Sequence, residues 1–159
     1  MRFAQLALAS LFAGAAMAAP APALSEVAAA EPAEGASVLA KRAEGIHLVN
    51  CENSAGRTIY SAVVYCPNDS DCNRNPGAGN SCVPGGVITW ERANGSCRFS
   101  TGVTFTWGIA SNAQSFADFQ QVGDGGNGGT NFRIFKDNKH RMYTDGNGNS
   151  CKSIYYGLS

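Results

Sequence analysis

Residues 102–109 read Gly102-Val103-Thr104-Phe105-Thr106-Trp107-Gly108-Ile109. Large apolar side chains occupy every second position from Val103 to Ile109, and threonines lie at two of the positions between them. Successive side chains of a β-strand point to opposite faces, so this period of two predicts a strand with one face buried. The stretch therefore indicates a β-sheet whose core contains Phe105 and Trp107.

Other short segments of the chain have the same strand-like composition, and turn residues separate them. Their number and spacing predict an all-β domain: a small, disulfide-stapled antiparallel sandwich or barrel of about eight short strands. Besides 102–109, the predicted strands are residues 46–49, 58–65, 87–91, 97–99, 130–136, 140–144 and 151–156.

The segments between these strands are rich in turn-forming residues. Residues 67–86 predict a long loop, and Asn94-Gly95 predicts a hairpin turn. Residues 111–121 fit either a short helix or an irregular strand. The glycine-rich residues 123–129 predict a flexible loop, and residues 145–149 predict a tight turn rather than a calcium loop, because they lack the later EF-hand ligands.

The six cysteines predict three disulfides, as is usual in small exported domains. Fifteen pairings are possible and the sequence does not choose among them. No two cysteines have the close spacing of zinc ligands, so we expect no metal and no cofactor. Cys151 follows the others at a distance, and its bond should tie the last strand to the rest of the domain. The cysteines are Cys51, Cys66, Cys72, Cys82, Cys97 and Cys151.

The first residues have the features of a secretory signal peptide. Arg2 supplies a positive charge, and an apolar run over residues 6–17 follows it. The small-x-small pattern Ala16-Met17-Ala18 at the end of this run fits a signal-peptidase site at Ala18 and Ala19. The run is too short to span a bilayer, so residues 1–19 are predicted to be a removable signal and the product to have no membrane span.

Residues 20–42 are rich in alanine, proline and glutamate and contain no aromatic residue. Such a composition cannot bury enough apolar surface to fold, which predicts a disordered pro-segment. It ends at the dibasic pair Lys41-Arg42, where we expect a processing protease to cut. The mature domain is then residues 43–159, and it holds every cysteine.

Charge excludes one class of partner. The chain carries 12 basic and 12 acidic residues, and its formal net charge is zero. Non-specific nucleic-acid binding needs an excess of cations to neutralise phosphates, so no nucleic-acid partner is expected. We also expect a monomer.

A few side chains are candidates for function. His47 and His140 are the only histidines and would be the acid and base of a small secreted ribonuclease. Asn68 and Asn94 begin N-glycosylation tripeptides in predicted loops. Tyr155 and Tyr156 are neighbours in a predicted strand, so one should face outward, where it would stack on a sugar or anchor a protein.

The whole layout resembles that of fungal small secreted cysteine-rich proteins, which a Kex2-type protease matures. The resemblance lies in the signal peptide, the pro-segment ending in Leu39-Ala40-Lys41-Arg42, the six-cysteine domain and the closing residues 151–156. It implies secretion, into the host apoplast for a plant-associated fungus. It also implies a non-enzymatic effector that binds a host extracellular protein or a cell-wall glycan and thereby modulates host defence. A killer-type antimicrobial toxin and a ribonuclease are the alternatives, and no catalytic residue is carried over from the resemblance.

Overall fold

The computed structural model describes residues 43–159, which form nine β-strands and three 3-10 turns. The predicted all-β class is confirmed, and this part of the chain contains no α-helix. The predicted cleavage positions Ala18, Ala19, Lys41 and Arg42 lie outside the described residues. The strands are β1 (Gly45–Glu52), β2 (Thr58–Cys66), β3 (Ser81–Cys82), β4 (Gly95–Arg98), β5 (Thr104–Ile109), β6 (Gln121–Gly126), β7 (Asn131–Lys136), β8 (Arg141–Thr144) and β9 (Ser150–Leu158).

The strands form one antiparallel sheet that is nearly closed into a barrel. Its order is β3-β2-β1-β9-β7-β6-β5-β4, and β8 pairs with part of β9. The two edge strands, β3 and β4, are joined by the Cys82–Cys97 disulfide. A covalent bond therefore connects the two edges that the ladder of hydrogen bonds leaves open.

The C-terminal strand β9 is the centre of this sheet. It pairs with β1 along its whole length, and on its other side with β8 and then with β7. Cys51 on β1 lies directly opposite Cys151 on β9, and these two residues form a disulfide. The expectation that Cys151 ties the last strand to the rest of the domain is thus confirmed. The third disulfide, Cys66–Cys72, closes a short loop after β2.

Strand β5 alternates as the sequence predicts. Phe105, Trp107 and Ile109 are buried, whereas Thr104 and Thr106 are exposed. The buried side chains enter the barrel and pack with apolar residues of the facing strands. This main core also contains Ile46, Leu48, Val63, Trp90, Phe99, Val122, Phe132, Ile134, Ile154 and Tyr155.

A second, smaller core covers the outer face of β1, β2 and β9. Strand β8 and the segment around Cys72 pack on this face. Both faces of β1 are consequently buried, which explains its unbroken run of buried residues from Gly45 to Val49. Side chains at even positions such as Ile46 enter the barrel, and those at odd positions such as Val49 enter the second core.

The predicted strand at residues 87–91 is wrong. These residues lie in an irregular segment between β3 and β4, in which the Ile88 N–H donates to the hydroxyl of Ser61 (3.2 Å). Trp90 is buried, and its indole N–H donates to Asn50 Oδ1 (3.0 Å), while Trp107 Nε1 donates to the Trp90 carbonyl (3.2 Å). Trp90 therefore fills the barrel without joining the sheet, and Ile88 packs against the same core while Val87 is exposed.

Two glycine-based predictions are also wrong. Residues 121–126 form strand β6 instead of a flexible loop. Position 123 is glycine because a side chain there would overlap the carbonyl oxygen of Gly108 on β5. Gly95 is the first residue of β4 and does not lie in a turn. It is glycine because a side chain there would overlap the indole of Trp107. Both glycines permit a close approach, and the real turn before β5 has Gly102 at φ 90°.

The predicted turn between β8 and β9 is confirmed, and its first residue organises it. Asp145 accepts hydrogen bonds from the backbone N–H groups of Asn147 and Asn149, from the Asn149 amide, and from the Tyr60 hydroxyl (2.8–2.9 Å). Partial burial opposes ionisation, but these hydrogen bonds outweigh it and lower the pKa of Asp145 to about 2. Both carboxylate oxygens have protein partners, which supports the turn over a calcium loop.

The disulfides should contribute unequally to stability. Cys51 and Cys151 are 100 residues apart, whereas Cys66 and Cys72 are 6 apart. In the loop-entropy account, losing the first bond costs about 2.5 kcal/mol more free energy of unfolding than losing the second. We expect denaturant unfolding to give a lower free energy of unfolding for the double variant Cys51→Ala/Cys151→Ala than for Cys66→Ala/Cys72→Ala. Equal stabilities would contradict the tie between β1 and β9.

Candidate functional site

A cleft of about 350 Å³ lies on the outer face of β1 and β9 and brings together residues distant in the sequence. Its sides are the loop after β2 and the segment between β7 and β8. Both predicted ribonuclease histidines line it, and we call it the histidine cleft. Its lining includes His47, Asp69, Asn73, Phe119, Asp137, Asn138, His140, Arg141 and Tyr156.

His47 forms the buried floor of the cleft. Its Nδ1 lies 2.9 Å from the hydroxyl of Ser153, and its Nε2 lies 3.0 Å from Asp69 Oδ1. Although a serine, a histidine and an aspartate are in line, Ser153 is fully buried beneath the histidine. The exposed end of this line is the carboxylate, so the serine hydroxyl is out of reach of any molecule in the cleft. The arrangement fixes the ring and does not make a serine nucleophile.

His47, Asp69 and Cys72 place their potential ligand atoms within 4.8 Å of one another. A zinc-type centre would need the thiolate form of the cysteine. The sulfur of Cys72 is instead bonded to that of Cys66. The donor set is thereby reduced to one imidazole and one carboxylate, which is too few for a protein metal centre.

His140 is held differently, at the rim. Its side chain is half exposed, and its Nδ1 lies 3.0 Å from Oδ1 of Asp137, a buried carboxylate. Asp137 is fixed in turn, because its backbone N–H donates to the Ile154 carbonyl (3.0 Å) on β9. Among the described residues Nε2 of His140 has no hydrogen-bond partner, so this nitrogen is available to a molecule in the cleft.

Tyr156 lies between the two histidine–carboxylate pairs. Its ring stacks on His47 on one side (centroids 6.3 Å apart) and on Phe135 on the other (5.4 Å). Burial, followed by the charges of Asp137 and Asp69, raises the pKa of Tyr156. The hydroxyl therefore stays protonated and can donate a hydrogen bond at neutral pH.

Tyr155 points the other way, as expected for neighbours in a strand. It is buried in the barrel, and its hydroxyl donates to Glu91 Oε1 (2.5 Å). Burial alone would raise the pKa of Glu91, but hydrogen bonds from Tyr155 and Gln114 outweigh it and lower that pKa. Glu91 is consequently an anchored anion, not a proton donor.

Phe119 is one of several cleft residues that the sequence did not single out, with Asp69, Asn73 and Asp137. Its side chain is 59% exposed, and its backbone has φ 66°. A bulky residue seldom adopts this left-handed conformation, because Cβ then crowds its own backbone. Two backbone hydrogen bonds with Lys136 impose it. The Phe119 N–H donates to the Lys136 carbonyl (2.8 Å), and the Lys136 N–H donates to the Gln120 carbonyl (3.0 Å).

The side chain of Lys136 secures the same loop. Its Nζ donates to the Phe116 carbonyl (2.7 Å) and forms an ion pair with Asp118 (3.2 Å). Residues 116–120 are thus fastened to β7 on both sides of the strained position. Of residues 111–121, for which the sequence predicts a short helix or an irregular strand, only Ala113–Ser115 are helical, in one 3-10 turn, and only Gln121 belongs to a strand, as the first residue of β6.

Neither predicted glycosylation position lines this cleft, although Asn68 directly precedes Asp69 in the chain. Asn94 is exposed just before β4, and Asn68 is partly exposed, with its amide donating to Asp71 Oδ2 (2.9 Å). Both lie in irregular segments, and their glycosylation stays a prediction.

No family model, curated protein or solved structure matches this chain. No helix within residues 43–159 has the length and apolar character needed to cross a membrane.

Phe119 should prove unnecessary for folding. Asparagine tolerates the left-handed conformation better than phenylalanine, and most of the ring is in solvent. We expect Phe119→Asn to leave the free energy of unfolding unchanged or to raise it by up to about 1 kcal/mol. Denaturant unfolding measures this change. A loss of more than about 1 kcal/mol would mean that the ring has a structural role.

Proposed function

We propose that the protein is a secreted, non-enzymatic effector-type protein that binds a neutral cell-wall glycan in the histidine cleft and thereby modulates host defence. The three disulfides suit a protein that works in an oxidising, protease-rich environment. They brace the domain and leave its loops free to carry the contacts.

Phe119 is the observation that carries this proposal. The ring of Phe119 is mostly exposed and its backbone has a positive φ, and strain of this kind is concentrated at functional sites. The ring lines a cleft whose other residues are mostly polar. One apolar plate beside several hydrogen-bonding groups matches a sugar ring, which has an apolar C–H face and a polar edge.

The polar groups of the cleft suit hydroxyl recognition. The side chain of Asp69 is 36% exposed and can accept hydrogen bonds, and Asn73 and Asn138 offer exposed amides. Tyr156 and the free Nε2 of His140 add further hydrogen-bonding positions. Because the carboxylate of Asp69 faces the cleft, a neutral glycan fits it better than an acidic one such as polygalacturonate.

The carboxylates of the domain support binding without hydrolysis. A glycosidase needs one carboxyl group with a raised pKa and a second, free one opposite it. The pKa of Glu91 is lowered, and Asp137 is buried against His140. Asp69 is left in the cleft without a second free carboxylate beside it.

The test is a binding assay on insoluble polysaccharides. The precursor is expressed in a yeast secretion host, and the protein purified from the medium is incubated with β-glucan, cellulose and polygalacturonate. We expect saturable binding to at least one of the neutral glycans, and Phe119→Asn should weaken it by at least about tenfold.

Val83→Asn is the matched control, because Val83 is also a large exposed apolar residue (55%) but does not line the cleft. Asparagine at position 83 is followed by Pro84, so neither variant gains an N-glycosylation tripeptide. Val83→Asn should bind like the unaltered protein. Absence of binding to all neutral glycans would refute the proposed ligand, and in that case capture of a single host apoplastic protein would replace the glycan by a protein. Equal losses in both variants would show that binding occurs outside the cleft.

A ribonuclease is the second candidate, since the cleft brings His47 and His140 together. His140 has a free nitrogen for proton transfer, and Arg141 is a cation for a phosphate. Against this reading, both nitrogens of His47 are already occupied, and the carboxylate of Asp69 would repel a phosphate.

RNA cleavage separates the two candidates. We expect the purified protein to leave yeast RNA intact at pH 5 to 8, with the same result for His140→Ala. If the unaltered protein cleaves RNA and His140→Ala abolishes that cleavage, the ribonuclease becomes the first candidate in place of the glycan-binding protein. Gel analysis with a commercial ribonuclease as positive control gives the readout.

A further inference from the structure

A second cavity, separate from the histidine cleft, opens at one end of the barrel. Its volume is about 270 Å³, and it lies between strands β1, β2, β5 and β7 and the turns that follow β4 and β6. A water molecule occupies about 30 Å³ in the liquid, so this space corresponds to a solute of roughly ten non-hydrogen atoms. Protein interiors seldom leave a space of this size beside well-packed aromatic side chains.

The walls of this cavity are aromatic and fixed. Phe99, Phe105 and Phe132 are all buried residues that line it, and Tyr65 completes the ring of aromatic side chains. Phe105 and Phe132 pack edge to face with centroids 5.7 Å apart, and Phe105 also stacks on Trp107 (6.1 Å). Because these contacts set the ring positions, the cavity exists before anything binds, and a flat solute can enter without reorganising the core. We call it the aromatic pocket.

The mouth of the aromatic pocket carries neutral hydrogen-bonding groups. Asn127 Oδ1 accepts the N–H groups of Gly129 (3.0 Å) and Thr130 (2.8 Å), which fixes the side chain and leaves its amide N–H₂ unused. Asn80 and Thr101 also line the mouth, and within residues 43–159 neither side chain makes a hydrogen bond. These groups offer both donors and an acceptor to a ligand.

The pocket residues within the described part of the chain include no charged side chain. A charged ligand would lose its hydration without gaining a partner, and a purely aliphatic one would leave the amides unpaired. From these features we propose that the aromatic pocket binds a small, neutral, planar aromatic molecule that carries a hydroxyl or carbonyl group. The ring lies among the phenylalanines, and the oxygen meets the amides at the mouth.

Titration with defined probes tests this site. The probes are 2-naphthol and coumarin, with naphthalene-2-sulfonate as the charged comparison, and calorimetry on the full secreted protein is the readout. We expect saturable binding of one molecule of either neutral probe and at least about tenfold weaker binding of the sulfonate. Trp107 fluorescence should change with the same midpoint, because its ring stacks on Phe105. Failure of both neutral probes to bind would overturn the proposal.

Two leucine substitutions locate the site. A side chain at Gly79 would point into the pocket mouth, where its Cβ would meet only Thr101 Cγ2 at 3.5 Å, an ordinary contact. Gly79→Leu should therefore fill the pocket without straining the core and weaken 2-naphthol binding at least about tenfold. Gly77→Leu is the control, because nothing lies within 4 Å of its Cβ position and Gly77 does not line the pocket.

Asn80→Ala gives a second, milder variant that keeps the pocket open. It should weaken the binding of 2-naphthol roughly three- to tenfold, because it removes one hydrogen bond to the hydroxyl group of the probe. Melting temperatures of all variants establish that they are folded. Unchanged binding in Gly79→Leu, or equal losses in Gly79→Leu and Gly77→Leu, would show that the probes bind elsewhere and would refute the assignment.

Discussion

The Cys82–Cys97 bond closes a sheet that its hydrogen bonds leave open. The edge strands are short, two residues in β3 and four in β4, and open edges of this kind invite pairing with other chains. Joining them covalently holds the intervening segment against the barrel, so that Trp90 stays inside and contacts Trp107. The packed interior thus depends on a bond that forms only in an oxidising environment.

The candidate site depends on the same construction, through the outer face of the sheet. Because side chains alternate along β1 and β9, Ile46 and Tyr155 enter the barrel while His47 and Tyr156 face outward. Strand β8 covers one part of this outer face with apolar residues, and the neighbouring part is left as the histidine cleft. A rigid core beneath the cleft is what allows Phe119 to remain in a strained conformation at its edge.

Local pattern predicted those elements whose burial follows from their own residues. The alternation from Phe105 to Ile109 and the β-branched run of β2 both became strands. Local pattern gave wrong predictions where contacts with residues distant in the sequence determine the structure. Gly123 is a glycine because Gly108 lies against it, and the indole of Trp90 is held in the interior by its hydrogen bond to Asn50. The two histidines were predicted as a pair only because the chain contains no others. The conformation of Phe119 depends on backbone hydrogen bonds with Lys136, and no local sequence signal reveals that Lys136 lies beside it.

The two proposed binding sites, the aromatic pocket and the histidine cleft, depend on the scaffold in different ways. The inner wall of the aromatic pocket consists of core side chains, so its shape is as stable as the barrel and it should select ligands by size and flatness. The histidine cleft is bordered by loops, but Lys136, Asp137 and the Cys66–Cys72 bond each fix a loop close to its attachment point. Loops that are fastened in this way lose little entropy on binding, so even a few polar contacts can hold a weakly interacting ligand such as a sugar. Both proposed sites therefore rely on covalent bracing more than on a large core, which a domain of this size does not have.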